Sequence, residues 1–355
     1  MTTLLQAFRR TFLEGQVNRD LVFRMAPGYL AAFFLFYGPE FVELRPNHSL
    51  HINPFAPLEP DYQYLHNSIL GPFLGHALSL HRVFEIIALY LAATVLAAGA
   101  MLLYVRQRWD NPDARSAAFL IISLSPVWYV LTGYVGNSSS LLVLLYVLLL
   151  LAPQAVVAWI WALLLVLAHR EIGVSVLGLH ILLRKPDGMR MAALVVGAVA
   201  GLGLHQLYMS HLEGEVSARG SFVLVHWKMW IKLNLLKPVT LVLMAFNWFW
   251  AAVLFAAWRE LLRWRDAAAI MVAIGLSAVT IDTTRVAMLV GLPLIFSLSE
   301  RIVADYEWRR VQCWPLWAAI AFLQFERYAW QTLQIDEVNW DGTLSFLWKS
   351  IWSHP

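Results

Sequence analysis

The sequence predicts an all-α protein, a polytopic transmembrane bundle of about eleven helices with interfacial helices in its first long outer loop. Three observations predict it. Of 355 residues, 60% are hydrophobic and 14% charged, and the mean hydropathy is +0.61, whereas a soluble domain carries roughly one quarter charged residues. The apolar residues gather into segments near the roughly 20 residues that cross a bilayer. The basic residues collect in alternate loops between those segments.

Taken in order, the opening MTTLLQAFRRTFLEGQVNRD lacks a signal-peptide core with a small-residue cleavage site. With Arg9, Arg10, Arg19 and Arg24 it reads as a cytoplasmic flank carrying a short interfacial helix. Apolar segments follow near 22–38, 83–105, 116–135, 139–152, 155–169, 171–183, 191–209, 239–258, 267–281, 285–299 and 313–330. Those within 139–183 and 267–299 are short, as in tilted, partly re-entrant or enclosed helices. The chain reads as one transmembrane domain over 1–355, with an outer loop at 39–82 and a second outer amphipathic segment at 210–238. With the N-terminus cytoplasmic, 16 of the 26 Lys and Arg residues fall in the flank and inner loops, as the positive-inside rule expects. The expected location is the bacterial inner (cell) membrane, as an integral multi-pass protein. The net charge of +3 is too small and dispersed for a nucleic-acid footprint, so nucleic acid is excluded as a partner. The single Cys313 excludes a disulfide framework.

On this topology the polar groups that look misplaced in an apolar context face one side: Glu40, Asp61, the triplet His169-Arg170-Glu171, and Asp282 with Arg285. A charge near a helix centre costs roughly 2.5 to 3.5 kcal/mol even on lenient scales, so such groups pair or line a wet cavity. The triplet sits between Leu-rich runs without a Gly/Pro/Ser loop. It reads either as a tight polar turn or as a site where Arg170 holds an anion oriented by His169 and Glu171, since the guanidinium fork suits phosphate. Asp282 and Arg285 share a face at i and i+3, and Asp282 also reads as an N-cap. They form an ornamental ion pair, or Arg285 at a helix start favours a bound anion.

The loop at 39–82 is stiffened by prolines 39, 46, 54, 57 and 60. Its second half, DYQYLHNSILGPFLGHALSL, reads as an interfacial helix capped by Asp61, with Ile69, Leu70, Phe73, Leu74, Ala77 and Leu78 toward lipid. Asp61 and Glu40 are the candidates for a general base, as carboxylates in a partly dehydrated cleft; each also reads as a solvated loop carboxylate. Histidines 48, 51, 66, 76 and 81 lack metal-ligand spacing, and no metal is expected. Lys228 and Lys232 share a helical face beside Trp227, Trp230 and Ile231, a headgroup anchor or a guide for a phosphorylated lipid.

A first spanning helix, a long outer loop with Glu40, Glu43 and Asp61, interfacial helices in that loop, and short paired helices whose corners carry HRE and DTTR together resemble the GT-C superfamily of polytopic glycosyltransferases. The resemblance covers about residues 20 to 300 and lacks the adjacent acidic pair after the first helix. It implies a polyprenyl-phosphate sugar as donor, Asp61 or Glu40 as base, Arg170 and Arg285 as phosphate ligands, and membrane lipids as the other partners. It implies no cofactor: the carboxylate takes the acceptor hydroxyl's proton while the arginines stabilise the leaving phosphate. Two alternatives remain. A transporter or flippase would place ionisable groups at the midplane. An intramembrane hydrolase or acyltransferase would use His169 as base with a nucleophile among Ser138 to Ser140.

Overall fold

The computed structural model describes residues 44–56, 58, 65–134, 137–212, 228, 231–232, 234–236, 238–280, 283–305, 328–329 and 332–333. Among these, regular structure is helical except for one antiparallel ribbon, β1 (Tyr328–Ala329) with β2 (Thr332–Leu333), in the register Tyr328 to Leu333 and Ala329 to Thr332. The expected segment at 22–38 and residues 313–327 of the one at 313–330 lie outside the described residues; Tyr328–Ala329, expected at the end of that helix, are strand instead.

Helices α1 (Leu44–Ile52) and α2 (Leu70–Ala77) come first, and seven expected segments appear as single helices: α3 (Val83–Arg108), α6 (Ser139–Leu151), α7 (Ala155–Ala168), α8 (Arg170–Arg184), α9 (Gly188–Ser210), α12 (Trp264–Ala278) and α13 (Thr283–Asp305). Two expected spans are broken. The segment at 116–135 becomes α4 (Pro112–Ser123) and α5 (Val127–Gly133), bent by 62°. The segment at 239–258 becomes α10 (Pro238–Phe246) and α11 (Phe249–Trp258), bent by 89°. The first break falls at Pro126, which donates no backbone hydrogen bond. Ser125 Oγ bonds the freed Ile122 carbonyl at 2.6 Å, and Trp128 Nε1 donates to Ser123 Oγ at 2.7 Å. At the second break Asn247 takes φ 53°, a left-handed turn that asparagine tolerates better than most residues. Trp250 Nε1 then donates to the Val242 carbonyl across the bend at 2.7 Å. Side-chain donors and acceptors thus replace the backbone bonds lost where a helix breaks in an apolar setting.

Helices α12 (Trp264–Ala278) and α13 (Thr283–Asp305) complete the bundle. Helices α3, α9 and α13 are long and apolar enough to cross a membrane, and the number rises to five if each bent pair is one span. Helices α6 and α7, with 13 and 14 residues, are apolar but rise only about 20 Å at 1.5 Å per residue. Helix α13 is enclosed nearly all round, with residues 286–299 buried throughout, and it packs against α4, α6, α8, α10, α11 and α12.

Close helix contact is made by small residues. Helix α9 lays Gly197 and Gly201 on α7, where a Cβ at 197 would stand 2.5 Å from the Trp159 carbonyl oxygen and one at 201 would stand 3.0 Å from that of Leu163. The facing side of α7 offers Ala158 and Ala162, both fully buried. This small-xxx-small pairing lets backbones approach where no hydrophobic effect drives helices together. Gly173 of α8 is tighter still, with its would-be Cβ 2.3 Å from the Leu165 carbonyl oxygen.

One end of the bundle is ion-paired. Asp266, 1% exposed, accepts both Nη atoms of Arg301 at 2.5 and 2.8 Å and the Arg263 backbone N–H at 2.7 Å. Glu300 accepts Arg184 Nη1 on both oxygens at 2.9 Å and the Tyr104 hydroxyl, with Arg108 Nε at 3.6 Å. The expectation that misplaced polar groups share a single side is therefore corrected. Charges are enclosed at this end too, tolerable because each carboxylate meets a guanidinium.

Substituting Gly173→Ala should lower stability by about 1 to 3 kcal/mol through forced separation of α7 and α8. Gly203→Ala, whose Cβ meets nothing within 4 Å, should not; thermal melts in detergent compare the two. Asp266→Asn strands Arg301 and should lose about 3 to 5 kcal/mol in denaturant unfolding, with part recovered in the double variant Asp266→Asn/Arg301→Gln.

Candidate functional site

The opposite end of the bundle gathers the seams between helices. Helix α7 ends at Ala168 and α8 begins at Arg170, so His169 alone turns the chain, in extended backbone, as the cap of both. Gly173 N–H donates back to the His169 carbonyl at 2.7 Å. The corner following α5 holds Tyr134, Asn137 and Ser138. Helix α13 opens at Thr283, directly after the chain position of Asp282.

These corners touch through a chain of contacts. The Arg285 guanidinium lies 5.1 Å from the centroid of the Tyr134 ring. Asn137 N–H reaches the Tyr134 carbonyl at 3.4 Å. Ser138 Oγ lies 3.2 Å from Ser68 Oγ, and Ile69 N–H donates to the Leu167 carbonyl at 3.0 Å. Asn234 Nδ2 donates to the carbonyls of Ala278 and Thr280 at 2.7 and 3.1 Å, which brings the segment of Lys228 and Lys232 to the same end. Both lysines are exposed.

The triplet is therefore placed with the 65–70 segment and, through Ser138 and Tyr134, with Arg285. Arg170 is half-buried and sits 3.3 Å from Glu171, a partly exposed pair that contributes little to stability. His169 is buried at the turn. Asp61, Glu40 and Asp282 lie outside the described residues.

The helix expected to lie along the lipid is corrected. Helix α2 (Leu70–Ala77) starts nine positions after the chain position of Asp61, with Ile69 at its N-cap. Ile69 is buried, and Ile69, Leu70 and the exposed Phe73 line an open cavity of about 440 Å³ whose other walls include Phe55, Leu167, Leu204 and Tyr208. Gly71 and Gly75 permit this: a Cβ at 71 would stand 2.3 Å from the Tyr90 hydroxyl, and one at 75 would stand 2.2 Å from the His51 ring. Of the expected lipid-facing set Phe73, Ala77 and Leu78 are exposed, Leu78 most among the large side chains, while Ile69 is buried.

Behind the cavity lies a polar cluster that sequence reasoning missed. Tyr208 donates its hydroxyl to the Pro54 carbonyl at 2.7 Å and meets His66 Nδ1 at 2.6 Å. His205 Nε2 meets the His66 carbonyl at 3.0 Å. His66 and His205 are each 1% exposed, and His205 is within electrostatic reach of Arg170 and Glu171. Burial, and then the neighbouring His205, pull the His66 imidazole down to about 4, so it is neutral at pH 7. Two loop histidines are tied to backbone instead: His48 Nε2 to the His81 carbonyl and His76 Nδ1 to the Ile52 carbonyl, both at 2.8 Å. Among the described residues no three His, Cys, Asp or Glu side chains converge as a metal site. The hydroxyl of Ser138 meets Ser68 and Asn137, neither of them a base.

Comparison of the chain with protein-family models, with curated proteins and with solved structures finds no match. The chemistry of the site must be argued from its own residues.

His66 gives a pH test. Its folded-state pKa lies below the ordinary 6.5, so the unfolded chain binds this proton first and acid favours unfolding. Its contribution is complete above pH 6.5 and lost progressively down to about pH 4, by at most about 3 kcal/mol. Unfolding midpoints across that window should fall less steeply in His66→Gln than in the parent.

Proposed function

We propose that the chain is a membrane glycosyltransferase that moves a sugar from a polyprenyl-phosphate donor to an acceptor hydroxyl at the extracytoplasmic face, within a polytopic bundle of the GT-C kind. The observation that supports this reading is the meeting of separate seams at one end, with Arg170 half-buried three residues after a wall of a largely apolar cavity and the half-buried Arg285 linked to that end through Tyr134 and Ser138. An apolar tail needs a greasy slot, and a phosphate at its head needs guanidinium partners near the slot's mouth. Leu167 of the cavity wall lies three residues before Arg170, so tail and head would be served by one turn of chain.

In this mechanism Arg170 and Arg285 receive the phosphate and stabilise the charge that grows as the sugar leaves. Arg285 sits at the start of α13, where the helix dipole also favours an anion. The proton of the acceptor hydroxyl passes to a carboxylate, Asp61 or Glu40. Lys228 and Lys232, exposed at the same end, attract the anionic head of the incoming lipid. His169 and Glu171 orient the anion that Arg170 holds. The transporter reading draws no support from the charges, which gather at the two ends of the bundle rather than the midplane.

Lipid extracted from purified protein and analysed by mass spectrometry should contain polyprenyl phosphate. Arg170→Ala and Arg285→Ala should each reduce its occupancy about tenfold or more, the loss of one charge-assisted contact, while leaving the melting profile near that of the parent. Full retention of the lipid in both variants would remove the phosphate-site assignment.

A further inference from the structure

The ion-paired end of the bundle carries a surface that the proposed transfer does not use. Among the described residues the two most exposed tryptophans, Trp258 at 74% and Trp264 at 69%, flank one corner, where α11 ends and α12 begins. Each is followed by an arginine lying over its ring: Arg259 Cζ is 5.9 Å from the Trp258 centroid and Arg265 Cζ is 5.4 Å from that of Trp264. The chain between them is held in place. Leu261 and Leu262 pack against the core, and Arg301 Nη1 donates to the Leu261 carbonyl at 2.8 Å. The corner therefore presents two Trp–Arg pairs on a firm support.

Indoles so exposed are costly in water and favour a boundary where the ring is in grease and its N–H is wet. Helix α12 shows which boundary this is. Trp264, Ala267, Met271 and Gly275 are exposed in one stripe, at i, i+3, i+7 and i+11, while Asp266, Ala269, Ala273 and Ser277 on the other face are buried. Leu254 of α11 is exposed as well. An acidic soluble partner would leave this apolar stripe bare. Acyl chains cover it, and the corner then stands at the level of lipid headgroups.

Charge selects among those headgroups. The ion pairs of the corner join Arg259 to Asp305 and Arg301 to Asp266. Arg263 and Arg265 have no carboxylate of their own among the described residues, and the exposed Glu260 is the one remaining counter-charge on the loop. Residues 106–115, 184–190, 258–266 and 300–305, all at this end, carry ten basic side chains against seven acidic. A guanidinium stacked on an indole still directs N–H donors outward from its edge, and its fork fits phosphate. Arg265 Nη1 also reaches the Leu182 carbonyl at 3.4 Å, so the end of α8 braces it.

We propose that the α11–α12 corner is a binding surface for an anionic phospholipid of the leaflet at the ion-paired end. Its phosphate meets Arg263 and Arg265, the two indoles lie at the glycerol level, and the acyl chains run along Met271 and Leu254. This surface is at the far end of the bundle from the seams and does not rest on the transfer reading.

The test mixes the full chain in detergent micelles with equal amounts of phosphatidylglycerol and phosphatidylcholine bearing the same acyl chains, and counts the lipids that stay bound by native mass spectrometry. The first bound lipid should be phosphatidylglycerol by about fivefold or more, as arginines at an anionic surface select, and added salt should reduce the preference. Arg263→Gln/Arg265→Gln should bring the ratio near one. Arg106→Gln/Arg115→Gln, which removes the same charge from another loop of the same end, should leave it near the parent's. A parent ratio near one overturns the proposal whether or not any variant folds. So does a folded Arg263→Gln/Arg265→Gln that keeps the parent ratio, or an equal loss in both double variants, which would show diffuse attraction to the whole end. Polyprenyl phosphate retained while the phosphatidylglycerol preference is absent would remove this inference and leave the transfer reading.

Discussion

The structure depends on the enclosure of α13. An apolar helix buried on nearly every side cannot use lipid to solvate its ends, so each end must find polar partners from other helices. At its C-terminal end Arg301 and Glu300 do so with Asp266, Arg184 and Tyr104. At its N-terminal end Arg285 lies over Tyr134. The first end matches carboxylates to guanidinium groups, and at the second a guanidinium lies over an aromatic face.

The seams converge because the helices between them approach closely. Gly197 and Gly201 on α9, Ala158 and Ala162 on α7, and Gly173 on α8 bring three consecutive helices into backbone contact. His205 and Tyr208, one and two turns beyond Gly201 on α9, are carried toward the 65–70 segment. That segment is in turn pinned to α7 by the Ile69 to Leu167 hydrogen bond. Small residues in mid-helix thus set the position of polar residues at its end. The link from packing to chemistry is mechanical, through rigid helices.

Much of the helical layout was legible in the sequence, because long apolar runs between basic clusters leave few other options. The limits of α3, α6 and α7 follow from where the charges and prolines stand. The bends do not: Pro126 is visible, but its consequence depends on whether Ser125 and Trp128 reach the freed groups, and Asn247 carries no mark of its left-handed turn. The 70–78 stretch was read with its apolar face toward lipid because amphipathicity identifies a face without naming what covers it. Gly71 and Gly75 were the available signal, since glycines four apart on a helix let it press against a neighbour. The ion pairs at the far end were missed for a related reason: Asp266 and Glu300 resemble ordinary loop charges until Arg301 and Arg184 are seen beside them. The corner triplet and Arg285 were legible as anomalies within apolar runs. His66 and His205 were not, being separated by 139 positions and individually unremarkable.

That last miss bears on how sites arise in membrane bundles. Charged residues in an apolar run announce themselves because their burial is expensive whatever surrounds them. Neutral histidines and tyrosines cost less to enclose, so a composition that tolerates them reveals little about their use. What distinguishes His66 and His205 is the pattern of protons fixed by their partners. A tyrosine that gives its proton to Pro54 obliges His66 to donate through Nδ1, and the His66 carbonyl obliges His205 to donate through Nε2. The same bonds that anchor the 54–66 segment to α9 thereby orient two lone pairs away from their anchors.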